Sequence, residues 1–365
     1  MSRGNSWRVL IISVALLANL GWAVAGCGGG KGEEGTIALL LPDEEAPRYR
    51  THDRPEFERK AAELCGDCKV LYGNAGGNAT RQQEQAEKAL AKGADVLVVD
   101  PVDVQAAATI LQKAKPRGVP VVSYDRLILN ARVDYYVDAE SEAIGKVQMA
   151  ALTEKLREAG KPAGPIVIVT TGTSGPVNLG ATLALNPSGV KAVAIYNMPD
   201  VPPEASVTLS EQEMRRAIAA VGRNGFAGVF AVDDKAASGV IKAMSSAGID
   251  PADRYTTGSG ATIPALRRVL SGQQYLTTYE ANKEEAATAA EIAVELAEGS
   301  EVPDSKITDE PANGLRDVPA ILLQPVAVTK DNMRSTVIDN GFVDPAQLCA
   351  GSYARYCREA GISPG

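Results

Sequence analysis

Short apolar runs alternate with longer helical stretches from residue 36 onward. "TIALLLP" (36–42) reads as a strand and "FERKAAELC" as the helix after it, and "VLVVDP" and "VPVVSYD" begin later units of the same kind. Because strands that alternate with helices form parallel sheets with crossover connections, the pattern predicts an α/β fold. The alternation resumes after about residue 137, which predicts two doubly wound parallel-sheet lobes.

The N-terminus is predicted to be an export signal. Arg3 and Arg8 precede the apolar run "VLIISVALLANLGWAVAG", which contains no acidic residue. The run ends at "VAGC", which is typical of a bacterial lipoprotein signal, and Cys27 is then the lipidated residue. An ordinary signal peptide or an uncleaved anchor helix is the alternative. We expect an exported protein that is lipid-anchored to the outer face of the cell membrane.

Composition excludes several classes of function. The formal net charge is -8 and no basic run follows the signal, so nucleic acid is not expected as a partner. The single histidine, His52, excludes multi-histidine metal sites, and its place between threonine and aspartate near a helix start is typical of a solvated surface residue and not of a catalytic one. Both tryptophans lie inside the signal, so the predicted mature chain has none.

The remaining cysteines form two local pairs, Cys65 with Cys68 and Cys349 with Cys357. Outside the cytoplasm such pairs are usually disulfides. A thioredoxin-like redox site would place Cys65 at the start of a helix, whereas here it follows a helical stretch. A four-cysteine zinc site would require the two ends of the chain to meet.

Motifs that would indicate catalysis or a cofactor are weak. "GCGGGK" lacks the spacing of a phosphate-binding loop, and "GGNAT" and "GTSG" lack that of a dinucleotide fingerprint. Asp233 and Asp234 are adjacent on a predicted strand, so their side chains would point to opposite faces. We therefore expect no enzyme, no cofactor and no metal.

Polar residues follow most of the predicted strands. In open parallel sheets the ligand crevice lies beyond the carboxyl ends of the strands. Ordinary turns also favour glycine and aspartate, but Asp125 and Arg126 directly follow the apolar strand "VPVVSY". Two charges at that place favour a ligand-binding role.

Four segments resemble bacterial D-xylose-binding proteins, which are type I periplasmic binding proteins of sugar ABC transporters. They are "RYRTHDRPEF", "GADVLVVDPVD", "SYDRLI" and "NGLRDVPAILLQPVAVTKDNMRSTVIDNGF", and the resemblance runs from about residue 36 to 344. It implies a monomeric receptor that binds a monosaccharide or similar small molecule between two closing lobes and delivers it to an ABC transporter permease. Three crossings near residues 137, 279 and 310 are expected to join the lobes.

These expectations give the following organisation of the chain. The segments are a signal peptide (1–26), a flexible tether (27–35), a first lobe (36–137 plus 280–310), a second lobe (138–279 plus 311–345) and a C-terminal extension with a disulfide (346–365).

The resemblance implies the binding residues of the first lobe. Arg48 and Tyr49 fall where the family has arginine and tryptophan, and Asp125 and Arg126 match directly. An aspartate beside an arginine can accept from one hydroxyl while the arginine donates to another. The first lobe is thus expected to keep the residues with which it would bind one side of a sugar.

The second lobe departs from the family pattern. Asn178 replaces an aspartate, Asp233 an asparagine, Gly260 an aspartate and Glu280 a lysine, whereas Asp234 is kept. Asn178, Asp233 and Glu280 remain ligand-binding candidates. We expect a polyhydroxylated or cationic ligand other than D-xylose, such as an amino sugar. Two alternatives stay open: a pentose receptor with replaced contacts, and a signalling or structural lipoprotein with a degenerate cleft.

Overall fold

The computed structural model describes residues 35–43, 48–172, 174–199 and 203–363. The predicted signal peptide, Cys27 and the tether up to residue 34 lie outside the described residues. No helix within the described ranges combines the length and the apolar character that crossing a bilayer requires.

Strands recur along the described chain, including those predicted for "TIALLLP", "VLVVDP" and "VPVVSYD". They are β1 Thr36–Leu41, β2 Lys69–Asn74, β3 Val96–Val99, β4 Val121–Tyr124, β5 Tyr135–Ala139, β6 Ile166–Thr171, β7 Ala192–Met198, β8 Gly228–Ala231, β9 Tyr255–Thr256, β10 Thr277–Tyr279, β11 Ala320–Leu323 and β12 Val326–Val328.

Helices separate nearly all of the parallel strands. They are α1 Arg54–Leu64, α2 Ala79–Ala91, α3 Ala108–Ala114, α4 Ser141–Glu158, α5 Gly175–Leu185, α6 Pro203–Val221, α7 Asp234–Ser246, α8 Ile263–Leu270, α9 Asn282–Ala297, α10 Pro345–Leu348 and α11 Ala354–Glu359.

The first lobe is built on a six-stranded parallel sheet in the order β11-β5-β4-β3-β1-β2. The central strands are apolar and buried on both faces, as expected where helices cover each side. Asn78 begins α2 as its N-cap, accepting the Arg81 backbone N–H at 2.9 Å. The alanine-rich face of α9 packs into the core of this lobe, against β1, β3 and β4.

The second lobe contains a four-stranded parallel sheet in the order β7-β6-β8-β9, beside an antiparallel pair of β10 and β12. Its core lies between this sheet and helices α4 to α7. Helices α4 and α5 approach very closely, because a Cβ atom at Gly145 would lie 1.8 Å from the Val177 carbonyl oxygen. The two doubly wound parallel-sheet lobes expected from the sequence are therefore present.

Three chain segments pass between the sheets: β5 to α4, β10 to α9 and β11 to β12. The third crossing was predicted near residue 310, and that position was wrong. Ala320–Leu323 pairs in parallel with β5, so the chain stays in the first lobe up to Leu323 and the assignment of 311–323 to the second lobe is corrected. The first and third crossings touch, since Gln324 Nε2 donates to Glu140 Oε2 at 2.6 Å.

Both cysteine pairs lie at disulfide-bond distance, with Sγ–Sγ separations of 1.93 Å for Cys65–Cys68 and 2.12 Å for Cys349–Cys357. The first pair follows the last residue of α1, as the sequence predicted. The second pair ties α10 to α11, and its cysteines pack in the apolar cluster that also contains α8 and β12 residues. The C-terminal extension is therefore part of the second lobe's packing.

Candidate functional site

The four first-lobe residues predicted to bind ligand lie together. Asp125 and Arg126 follow β4, while Arg48 and Tyr49 begin a single π-helical turn, Tyr49–Asp53, that leads into α1. Turns of this kind occur often at functional sites. Because the carboxyl ends of parallel strands meet at one edge of the sheet, residues from separate βα turns converge there.

The backbone of Asp125 is held in an uncommon conformation. Its φ angle is +60°, in the left-handed region, and its N–H donates to the Val137 carbonyl at 2.9 Å. Aspartate tolerates this region better than most residues, but a cost remains and is usually found where function needs the geometry. Ala281, which follows Glu280 on the second crossing, also has a positive φ, of +54°.

Arg48 is the centre of the charge network. Its Nη1 lies 2.8 Å from Asp125 Oδ1, its Nε 2.9 Å from Asp53 Oδ2 and its Nη2 3.1 Å from Glu285 Oε2. Asp53 and Glu285 are buried, whereas Asp125 stays 17 % exposed. The guanidinium therefore joins three elements and holds the one accessible carboxylate in place.

Arg126 is the more open guanidinium, with 40 % of its side chain exposed. Its Nη1 donates to the Pro101 carbonyl at 3.0 Å and its Nη2 to the Tyr49 hydroxyl at 3.1 Å. Its Nε lies 3.7 Å from Asp100 Oδ1 and 3.7 Å from Asp125 Oδ2. Asp100 is fully buried, and burial followed by repulsion from Asp125 raises its pKa well above the usual range.

Two further carboxyl groups complete the cluster. Asp138 on β5 and Glu285 on α9 each place an oxygen within 4.8 Å of one another and of Asp125. Burial and the charge of Asp125 raise the pKa of Asp138 to about 8, and burial raises that of Glu285 as well. Asp138 accepts a hydrogen bond of 2.5 Å from the Tyr136 hydroxyl.

Two of the second-lobe candidates make hydrogen bonds inside their own lobe. Asp233 caps α7, accepting the N–H groups of Lys235 at 2.9 Å and Ala236 at 2.7 Å. Asn178 joins the start of α5 to the end of β6, because its Nδ2 donates to the Thr171 carbonyl at 3.0 Å and its Oδ1 accepts from the Thr170 hydroxyl. Both residues have clear structural roles.

Asp234, next to Asp233, is a buried and well-bonded carboxyl. It accepts from the Thr262 N–H at 2.9 Å, the Thr262 hydroxyl at 2.8 Å and the Thr277 hydroxyl at 2.8 Å. Burial raises its pKa to about 6 although these donors act in the opposite direction. Asp234 therefore holds β10 and the turn before α8 together.

Glu280 links the two halves electrostatically. It lies on the second crossing, and its Oε1 accepts from the Ser259 hydroxyl at 2.6 Å. Burial raises its pKa, and the charges of Arg48, Asp125 and Asp233 all act on it. Of the second-lobe candidates, Glu280 is thus the one that the structure brings into range of the first-lobe cluster.

Sequence reasoning missed Asp53, Asp138 and Glu285. Asp138 could have been found, because it is a charge near the end of an otherwise apolar strand. Glu285 could not, since α9 carries several glutamates and only packing decides which one is buried. The complete site combines donors and acceptors from several loops, which suits recognition of closely spaced hydroxyl or amino groups.

Two α/β lobes with parallel sheets, joined by three chain crossings and carrying charged residues at the strand ends, define a two-lobed solute-binding protein. The family model described as "Periplasmic binding protein domain" matches residues 37–301, and the chain belongs to that family. It is 32 % identical to the D-xylose-binding periplasmic protein of Escherichia coli K12 over 327 residues, covering 87 % of this chain and 93 % of that protein.

Other relatives agree on the fold. The D-xylose-binding periplasmic protein of Haemophilus influenzae is 32 % identical over 84 % of this chain and 90 % of its own length. The solved structure of an ABC transporter solute-binding protein from Clostridium phytofermentans, with bound β-D-glucose, has a TM-score of 0.67 at 23 % identity, covering 86 % of this chain and 99 % of that one.

Proposed function

We propose that this protein is an extracytoplasmic receptor of an ABC importer and binds a small sugar or sugar-like ligand between its lobes. The observation that carries the proposal is the Arg48–Asp125–Arg126 network at the carboxyl ends of the first-lobe strands, with Asp125 and Arg126 still accessible. Guanidinium and carboxylate groups held in place in this way can bind neighbouring hydroxyls.

The receptor acts by binding and releasing its ligand, not by catalysis. Closure of the lobes about the three crossings would remove the ligand from water and strengthen each charged hydrogen bond. The closed form would then be the state that the permease recognises. We propose a monomer, because one chain supplies both lobes and the crossing that carries Glu280.

Cys27 is proposed to carry the lipid that keeps the receptor at the outer face of the cell membrane. Labelling of growing cells with a radioactive fatty acid should mark the wild-type protein, whereas Cys27→Ser should remain unlabelled. Labelling of the variant would contradict the anchor.

The second-lobe changes support a ligand other than D-xylose. Asp233 uses its Oδ1 to cap α7, and Asn178 bonds to Thr170 and Thr171 at the end of β6, so fewer groups remain for the pentose hydroxyls. Each lost charged hydrogen bond costs about 1.5–3 kcal/mol, enough to move a micromolar site toward millimolar affinity after two or three losses.

A thermal shift panel tests the proposal. The intact chain in detergent is heated with pentoses, hexoses, amino sugars, polyols and amino acids, and a ligand at a hundred times its Kd should stabilise it by about 2.7 kcal/mol. Asp125→Ala should abolish the shift, whereas the exposed-site control Glu298→Gln should keep it. A panel without any stabilising ligand would favour a lipoprotein with a degenerate cleft, and stabilisation by D-xylose would contradict the specificity claim.

A further inference from the structure

The carboxyl groups around Arg48 come from separate parts of the fold. Asp125 follows β4, Asp138 lies on β5 and Glu285 on α9, yet each places an oxygen within 4.8 Å of the others. Neighbouring acids on one exposed helix face arise by chance, but convergence from three elements requires the fold to hold like charges together at a cost. Such a cluster needs either bound protons or a compensating positive charge.

Arg48 compensates only part of this charge. It pairs with Asp53, Asp125 and Glu285, while Arg126 lies 3.7 Å from Asp100 and Asp125. Two guanidinium groups thus contact four carboxyl groups, and Asp138 is a fifth. Among the described residues, Asp138 has no salt bridge, and its hydrogen bond comes from the neutral Tyr136 hydroxyl. An ionised Asp138 would therefore lack a counter-charge among the described residues.

A second and independent observation is an oxygen without a donor. Glu285 has no solvent exposure, and within the described part of the chain its Oε1 has no hydrogen-bond partner although Oε2 is bound by Arg48. A buried carboxylate oxygen is normally satisfied. A sugar hydroxyl could donate to this oxygen, whereas an ammonium group could donate to it and also supply the counter-charge that lets these carboxyl groups ionise.

Glu280 adds a further carboxyl group on the second crossing. Burial raises the pKa of Glu280, Asp125 and Asp233 add to that effect, and Arg48 and the hydrogen bond from the Ser259 hydroxyl oppose it. An ammonium between the lobes would therefore be attracted from both sides. That attraction would add to the driving force for closure.

We propose that the ligand carries a positively charged amino group, and that this group binds between Asp125, Asp138 and Glu285. The inference rests on the proposed function and narrows it from sugar-like solutes to amino sugars and similar hydroxylated amines. The Arg126 side of the cluster remains free to bind hydroxyl groups, as its exposure allows.

Matched pairs of probes test this inference. Glucosamine, galactosamine and mannosamine are each compared with the neutral parent hexose by isothermal titration of the intact chain in detergent. The amines should bind at least about tenfold more tightly, a difference of about 1.4 kcal/mol. Asp138→Asn keeps the size of the side chain and should reduce this preference about tenfold, whereas Glu298→Gln, an exposed carboxylate near the end of α9, should leave it unchanged.

A second variant, Glu285→Gln, is measured in case Asp138→Asn fails to fold, and it should lower the amine preference in the same way. Parent sugars that bind as tightly as the amines overturn the inference and leave the proposed receptor function intact. A panel in which no sugar binds overturns both. A third outcome is that calcium or magnesium chloride stabilises the wild type but not Asp138→Asn, and that the amines stabilise neither protein. This outcome assigns the cluster to a metal ion and overturns the inference.

Discussion

The two lobes handle their polar residues at the strand ends in opposite ways. In the first lobe, Arg48, Asp125 and Arg126 form a charged network that remains partly open to solvent. In the second lobe, Asp233 and Asp234 are bonded to backbone and hydroxyl groups of the same lobe. A polar residue at a strand end can therefore either stabilise its own lobe or remain available for a ligand. Its hydrogen-bond partners indicate which of these two roles it has.

Removal of Arg48 should have the largest effect. Arg48→Met leaves buried Asp53 and Glu285 without their counter-charge and should cost about 3–5 kcal/mol of unfolding free energy. Urea unfolding followed by circular dichroism measures the loss. Arg59→Met removes an exposed arginine with two ion pairs and should cost far less, because solvent screens exposed ion pairs. Equal costs for the two variants would mean that the first-lobe network does not stabilise the fold.

Among the polar residues of the second lobe, Asp234 should contribute most to the stability of the fold. Asp234→Ala leaves the Thr262 N–H and the Thr277 hydroxyl without their acceptor and should cost about 2–3 kcal/mol in the same urea assay. Ligand affinity should change less than stability, because Asp234 bonds inside its lobe. A variant with native stability that no longer binds any panel ligand would contradict this division of roles.

The buried carboxyl group of Asp138 should make the stability of the first lobe depend on pH. The pKa of Asp138 is about 8 in the folded state and about 3.9 in an unfolded chain, so the folded state holds this proton more tightly. The stability that Asp138 contributes is therefore fully present below about pH 4 and is lost as pH rises through 8.

Asp138→Asn removes this titration. The wild type should lose stability as the pH rises from 5 to 9, and the variant should not. The unfolding free energy of the variant minus that of the wild type should therefore increase by at least about 1 kcal/mol over this range, since one pKa unit corresponds to about 1.4 kcal/mol. Urea titrations at the two pH values measure the change, and Glu298→Gln should show none. A stability difference that stays constant or shrinks toward pH 9 would show that burial and the charge of Asp125 do not raise the pKa of Asp138.

The smallest loss of stability is expected when a helix cap is removed, and each lobe offers one cap for this test. Asn78 caps α2 and Asp233 caps α7, each through side-chain bonds to backbone N–H groups. Asn78→Ala and Asp233→Ala should each cost about 1 kcal/mol by thermal unfolding. A loss at Asp233 several times larger than that at Asn78 would mean that its side chain does more in the second lobe than begin a helix.

Local sequence was sufficient to predict the two-lobed α/β fold, because strand and helix periodicities differ and each unit is short. The third crossing was misplaced because it lies between two closely spaced strands, β11 and β12, where the apolar pattern barely changes. Asp125 and Arg126 could be predicted since they follow a buried strand. Glu285 and Asp53 could not, because tertiary packing alone determines which acidic residues of a polar helical stretch are buried against Arg48.

The most direct test of the division between the lobes is the affinity of the tightest panel ligand for two matched variants. By isothermal titration, Asp125→Asn in the first lobe should weaken binding by at least about tenfold, the cost of one charged hydrogen bond. Asp233→Asn keeps a cap-forming side chain in the second lobe and should weaken binding less than about threefold. A larger loss for Asp233→Asn than for Asp125→Asn would contradict the claim that the first lobe provides the main binding half of the site.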